Sequence, residues 1–199
     1  MMMTFKCIDV TISHLDAVAS IHAASYPADH ISGSMECELI VRYYSEFLTD
    51  ENSFFGCVRD GLATDLIGFV VFGKGLPLRV AKFKRENRLN IIKFFLSRPA
   101  VSLRFILKRL SALIQKADHF DEAENLILSI AVSGDSVGAG SFLMGAVDNY
   151  CTSNGVDKLG LYVACSNVRA LNFYYKVGFK VRAFVSGQYY MEKNFEVSL

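Results

Sequence analysis

The residues with the clearest chemical potential follow an apolar run, Leu126 to Val132. The chain breaks at Ser133-Gly134-Asp135-Ser136 and passes through Val137-Gly138-Ala139-Gly140-Ser141 into a helical pattern. A helix start carries unpaired N–H groups and about half a positive charge, and glycine lets a ligand come close to the main chain. This stretch therefore suits an anion, a phosphate above all. The same residues also fit an ordinary turn with a cap, for which Asp135 is well suited. A second candidate is His22, in a helical segment, where it is either a base or a packed or solvated histidine. A third is a basic stretch: between Lys74 and Lys116 there are twelve Lys and Arg against Glu86 alone, in a chain whose net charge is only +1. Such a stretch can hold ligand phosphates, lie on an anionic membrane or bind nucleic acid; it can equally be a solvated face. No groove-reading or aromatic-interleaved motif supports nucleic acid. Five cysteines and four histidines are scattered without metal-ligand spacing, which points to reduced thiols and no metal site.

These residues need elements to hold them. Leu126 to Val132 is long enough for one buried strand. The helix after the glycines carries Leu143, Met144, Val147 and Tyr150 along one stripe, and Gly155 suits its left-handed exit. A strand from Lys158 to Cys165 follows, then a helix starting at Ser166-Asn167 and running to Val177-Gly178. Strand, glycine loop, helix, strand, helix is a βαβα unit. Before it come a strand over Phe5–Val10, helices over His14–Ser25 and Met35–Leu48, and two strands over Ser53–Arg59 and Leu66–Phe72. The loop of residues 60–65 joins those strands as a hairpin. Leu39, Ile40, Tyr43, Tyr44 and Phe47 lie at helical spacing and read as core. Within the basic stretch, Leu89–Leu96 and Val101–Ile114 have helical apolar patterns separated by Pro99. Arg182–Val185 and Tyr189–Lys193 pair across Ser186-Gly187-Gln188.

A chain of 199 residues is enough for one domain with a sizeable core. Apolar residues make up 52% of it, but no apolar run approaches the length of a bilayer helix. Met1 to Val10 lacks the basic start and apolar core of a signal peptide, so a cytoplasmic protein is expected.

The segment Asn167-x-x-Ala170-x-x-Phe173-Tyr174-x-x-x-Gly178-Phe179, one strand after a glycine loop and helix, resembles the GNAT (Gcn5-related N-acetyltransferase) superfamily. The motif match covers about a third of the chain, roughly residues 126–179, and the flanking segments follow the family's order of elements. The resemblance implies an α/β fold with a mixed sheet of six or seven strands flanked by helices. It further implies a single domain over residues 1–199, with the basic helical insertion at about 74–117. The family's loop normally opens with Gln or Arg, and Asp135 stands at that place. An alternative register puts Val137 there, with Gly140 at the first glycine and Phe142 at the last. In both, the phosphates are left to main-chain N–H groups and to basic residues elsewhere.

The resemblance also implies the chemistry. Acetyl-CoA is the acetyl donor, and the backbone of Ile130, Ala131 and Val132 pairs with its pantetheine arm. The N–H groups of Val137, Gly138, Ala139, Gly140 and Ser141 receive its pyrophosphate. Asn167 bonds near the arm and Phe173 packs against it. Tyr174 is the general acid, since a phenol is protonated at neutral pH and can donate to the departing sulfur. Glu124 either draws the amine's proton, directly or through water, or is a solvated carboxylate. The acceptor is a small-molecule amine; the helical insertion and the Tyr26–Tyr44 segment look similar to acetyltransferases of bacterial surface-sugar synthesis, which favours a nucleotide-linked amino sugar. The competing expectation is a GNAT-fold binding or regulatory module with impaired CoA binding, meeting a membrane through its basic helices. The oligomeric state is left open.

Overall fold

A computed structural model describes residues 4–26, 35–49, 52–59, 65–97, 120–134 and 136–195. Seven strands alternate with helices: β1 (Phe5–Asp9), α1 (Leu15–Ser25, after a 3-10 turn at Ile12–His14), α2 (Cys37–Ser45), β2 (Asn52–Arg59) and β3 (Leu66–Gly73). Next come α3 (Leu76–Glu86), α4 (Arg88–Ser97), β4 (Asn125–Val132), α5 (Ala139–Ser153), β5 (Lys158–Ala164), α6 (Val168–Lys176), β6 (Lys180–Val185) and β7 (Gln188–Asn194). The strands form one mixed sheet in the order β1-β2-β3-β4-β5-β7-β6, so the expected fold class and strand number hold. No helix among the described residues is long and apolar enough to cross a membrane.

The chain packs as two compact units, residues 1–86 with 128–150, and residues 87–127 with 151–199. In the first unit, β1 and β3 flank β2 in antiparallel ladders, from Phe5↔Arg59 to Asp9↔Phe55 and from Asn52↔Gly73 to Val58↔Leu66. Every position of β3 is buried, which explains why its sequence is an apolar run without alternation. Of the expected core set, Leu39, Ile40 and Tyr44 of α2 and Phe47 just beyond it are buried, and Tyr43 is half-buried. Tyr43 sets its ring edge-on to Phe83 of α3 at 5.1 Å, and Tyr44 does so to Phe69 of β3 at 5.1 Å.

In the second unit, Asn125–Ile127 pair in parallel with Leu159–Leu161, as the βαβα reading requires. β5 then pairs antiparallel with β7, and β7 with β6. The β6–β7 turn places Ser186 (φ 52°) and Gly187 (φ 79°) in left-handed conformations, the combination that matches the twist of a two-residue hairpin. Gly160 is needed for space: a Cβ there would lie 2.6 Å from the Tyr190 hydroxyl. That hydroxyl accepts the Ala123 N–H at 2.7 Å, and burial pushes the phenol up to about 12.

The basic insertion is helical where it is described. The sequence patterns predict a helix over Leu89–Leu96, and α4 spans Arg88–Ser97; α3 lies in the preceding basic residues, whose helical character the apolar pattern did not reveal. The second predicted helix, Val101–Ile114, and the hairpin loop at residues 60–64 lie outside the described residues. α3 buries Leu76 and Phe83 and keeps its charges outward, with Lys82 on Glu46 at 2.9 Å. α4 buries none of its residues and exposes Leu89, Ile92 and Leu96.

Candidate active site

The glycine loop lies in the first unit. β4 is held against β3 where the Ser133 N–H donates to the Ile67 carbonyl at 2.7 Å. Gly68 makes that approach possible, because a Cβ on it would sit 2.8 Å from Val132 Cγ1 and 3.1 Å from the Ala131 carbonyl. Beyond Val132, the Ser136 N–H donates to the Ser133 carbonyl and the Ala139 N–H to the Ser136 carbonyl, closing two successive turns. Gly138 then adopts φ +92°, a conformation that costs other residues steric strain, and its carbonyl receives the Phe142 N–H at 2.9 Å to start α5.

Among the described residues, Ala139 is thus the member of the predicted phosphate-binding set whose N–H is engaged. Those of Val137, Gly138, Gly140 and Ser141 have no main-chain acceptor among the described residues. Unpaired groups of this kind are what the first turn of a helix offers an anion. Ser136 adds an orphan of a different type, a hydroxyl oxygen on a residue only 4% exposed, with no hydrogen-bond partner. A buried polar atom without a partner is costly, and a ligand oxygen at this loop would satisfy it. Ser136 reads in the sequence as part of a turn, and its buried hydroxyl is a feature that only the structure brings out. Val137 is 89% exposed, so its side chain leaves the N–H groups uncovered. Asp135, the residue at the Gln/Arg place, lies outside the described residues.

The first unit holds a further polar group that the sequence reading saw only in part. Ser129, facing inward from the middle of β4, is buried and takes the Tyr44 hydroxyl at 3.0 Å and lies 3.1 Å from the Tyr26 hydroxyl. Tyr44 Oη is 2.7 Å from Nδ1 of His22, and the His22 and Tyr26 rings stack at 4.2 Å. His22 is therefore a packed histidine inside a hydrogen-bonded cluster. Burial raises both phenols, Tyr44 far above the ordinary tyrosine value and Tyr26 above it as well, so both hydroxyls keep their protons. The signal available in the sequence was Ser129 itself, the one polar residue in Leu126–Val132.

The second unit holds the remaining predicted residues. Asn167 caps α6, its Oδ1 accepting the Ala170 N–H at 3.1 Å; its role in local structure is thus established, and its amide nitrogen is left for other partners. Phe173 and Tyr174 follow on the same helix, both half-buried, with ring centroids 5.5 Å apart. Tyr174 also meets Phe179 at 5.8 Å. The Gly178-Phe179 turn fixes that pairing: Gly178 takes φ +98°, the Phe179 N–H donates to the Tyr174 carbonyl at 2.9 Å, and Phe179 is buried. Glu124 stands exposed just before β4 begins, at the end of the strand opposite the glycine loop.

A loop of open N–H groups after a central strand, and an Asn-capped helix closed by Gly-Phe, are the two halves of the resemblance described above. A family model described as the acetyltransferase (GNAT) family matches residues 15–179.

The chain belongs to the GNAT acetyltransferase family.

Solved structures agree in fold. The PaiA N-acetyltransferase from Thermoplasma acidophilum, solved with coenzyme A, aligns with a TM-score of 0.58 at 16% identity, covering 97% of this chain and 100% of that one. The ribosomal-protein-S18-alanine N-acetyltransferase from Escherichia coli aligns with a TM-score of 0.59 at 14% identity, over 98% and 96% of the two chains. PH1933 from Pyrococcus horikoshii OT3 gives a TM-score of 0.62 at 16% identity, over 98% and 100%. At such identities the likeness is one of fold. No curated protein matches the chain.

Proposed function

We propose that this GNAT protein transfers the acetyl group of acetyl-CoA to a primary amine of a small molecule, with a nucleotide-linked amino sugar as the leading acceptor. The observation that carries the reading is the front of α5, where four N–H groups have no main-chain acceptor among the described residues and the Ser136 hydroxyl has no partner. A pyrophosphate would satisfy them together. Four hydrogen bonds to an anion, each worth about 1.5–3 kcal/mol net, are enough to replace the missing Gln or Arg side chain. The coenzyme A in the Thermoplasma acidophilum relative supports the same donor here.

The main chain of Ile130, Ala131 and Val132 would pair with the pantetheine arm as an added strand does, fixing the thioester by hydrogen bonds and avoiding the entropy of a free encounter. Asn167 and Phe173 would meet the arm from α6. The amine attacks the carbonyl carbon, the new N–C bond forms, and the C–S bond breaks as electrons return to sulfur. Tyr174 gives its phenolic proton to that sulfur. The proton lost by the amine goes to Glu124 through water, or to solvent if the amine arrives neutral. Glu124's exposure favours the route through water over direct abstraction.

The acceptor is argued from charge. α3 carries Arg79, Lys82, Lys84 and Arg85 and buries Leu76 and Phe83, an arrangement suited to the phosphates of a nucleotide-linked substrate. A thiol-release assay with acetyl-CoA and a panel of amines, nucleotide amino sugars included, tests this directly. Release of CoASH that depends on a nucleotide amino sugar is expected. Release with free amino sugars or polyamines alone would move the assignment to another amine class.

A further inference from the structure

The cluster around Ser129 has a direction. Tyr44 donates its single hydroxyl hydrogen to Ser129 Oγ at 3.0 Å. The 2.7 Å contact between Tyr44 Oη and His22 Nδ1 is then made by the Nδ1 hydrogen, which fixes the imidazole tautomer. Donation runs from His22 to Tyr44 to Ser129. In a dry interior each such bond polarises the next, so Ser129 becomes a stronger donor than an isolated serine. The Tyr26 hydroxyl lies 3.1 Å away on the other side of the same oxygen. Either oxygen of that second contact can donate; with Tyr44 donating to it, Ser129 keeps its own hydrogen, which is free for a ligand when Tyr26 acts as the donor.

Two side chains, Tyr44 of α2 and Tyr26 just after α1, spend their hydroxyls on that of Ser129 in β4, and His22 of α1 backs Tyr44. Packing alone does not ask for this; an apolar residue at Ser129 and Phe at Tyr44 would fill the same space without buried polar atoms. The position along β4 is informative. On the reading above, the pantetheine arm enters at the loop after Val132 and pairs back along Val132, Ala131 and Ile130. Its thioester end then comes to the level of Ser129.

We propose that Ser129 is the side-chain donor to the acetyl carbonyl oxygen, with Tyr44, Tyr26 and His22 as positioning residues that aim and polarise its hydroxyl. The negative charge that develops on that oxygen during attack meets a donor already oriented and already desolvated, the arrangement by which oxyanion stabilisers act. No proton need move: the cluster supplies a hydrogen bond that strengthens as the carbonyl becomes tetrahedral. This assignment rests on the proposed use of acetyl-CoA.

The test is isotope-edited infrared spectroscopy of acetyl-CoA labelled with carbon-13 at the acetyl carbonyl, bound to the full chain. Wild-type protein should shift the carbonyl band to lower frequency than in solution. Ser129→Ala should lose most of that shift while binding acetyl-CoA within about threefold of wild type. Tyr44→Phe, which retains the ring contacts to Tyr43, Phe54 and Phe69, should lose part of it, and Ser129→Thr, which keeps the hydroxyl, should restore it. A structural role for the cluster would lower stability in these variants and leave the band of the bound ligand where it was; that result overturns the assignment and leaves the transferase reading standing. A wild-type protein that does not bind acetyl-CoA overturns both.

Discussion

On the proposed mechanism, Tyr174 acts as an acid held in place. Its ring is bracketed by Phe173 and Phe179, which leaves the hydroxyl as its distinctive group. Tyr174→Phe keeps those ring contacts and should lower kcat by roughly 10²-fold with acetyl-CoA affinity changed by less than about threefold; steady-state kinetics with calorimetry separates the two, and an unchanged kcat would remove Tyr174 as the acid. A second residue-scale prediction follows from burial. Tyr26, Tyr43 and Tyr44 all have pKa values raised, with burial as the largest cause. A phenol raised on folding stabilises the native state fully below its unfolded value of about 10 and loses that contribution as pH climbs through its folded value. Titrating tyrosinate absorbance alongside circular dichroism should show these phenols ionising only as the protein unfolds, above pH ~10. Ionisation of all nine tyrosines near pH 10 with the fold intact would contradict the buried cluster. At this scale the sequence was legible where a local signal shaped the chain, as at the helix start on Asn167, and silent where partners came from distant segments. Tyr44 and Tyr26 meet Ser129 across 85 and 103 positions of chain, and His22 joins through Tyr44, a convergence that no local spacing encodes.

The elements were legible in proportion to the strength of their punctuation. β4, α5 and β5 fall within a residue or two of their expected limits because an apolar run, two glycines and a left-handed Gly155 (φ +65°) mark them. α3 was hidden, since Lys and Arg support helix as well as most residues do but supply no apolar stripe. The departure at the glycine loop concerns its side chains, whereas the groups proposed to meet an anion belong to the main chain, which sequence reports only indirectly. Two substitutions test the element-level account. Gly68→Ala would press a methyl onto Val132 and the Ala131 carbonyl; overpacking of this kind costs about 1–3 kcal/mol, read as a fall in unfolding free energy together with weaker acetyl-CoA binding. Loss of neither would mean that β3 and β4 have room to part. Gly138→Ala meets only the Phe5 ring, at 3.5 Å, so its penalty comes from the backbone, about 1–3 kcal/mol for a residue forced to φ +92°. Acetyl-CoA binding at least tenfold weaker is expected, because relaxing that torsion re-aims the N–H groups beyond it; unchanged affinity would place the phosphates elsewhere.

At the scale of the molecule, the chain separates its charge: the stretch from Lys74 to Lys116 is strongly basic although the net charge is only +1. If this serves a phosphate-bearing substrate, the double reversal Arg85→Glu with Arg88→Glu should raise the apparent KM for the acceptor severalfold, more so at low salt where screening is weak. No change in KM or its salt dependence would assign these helices to a solvated face. The exposed Leu89, Ile92 and Leu96 of α4 are compatible with the alternative role at an anionic membrane, and that role does not require acetyl-CoA. The central claim is that main-chain amides at the front of α5 receive the charged end of acetyl-CoA without the family's usual polar side chain. Isothermal titration of the full chain with acetyl-CoA tests it most directly: a one-to-one isotherm with micromolar affinity is predicted, and no heat at millimolar ligand would contradict it.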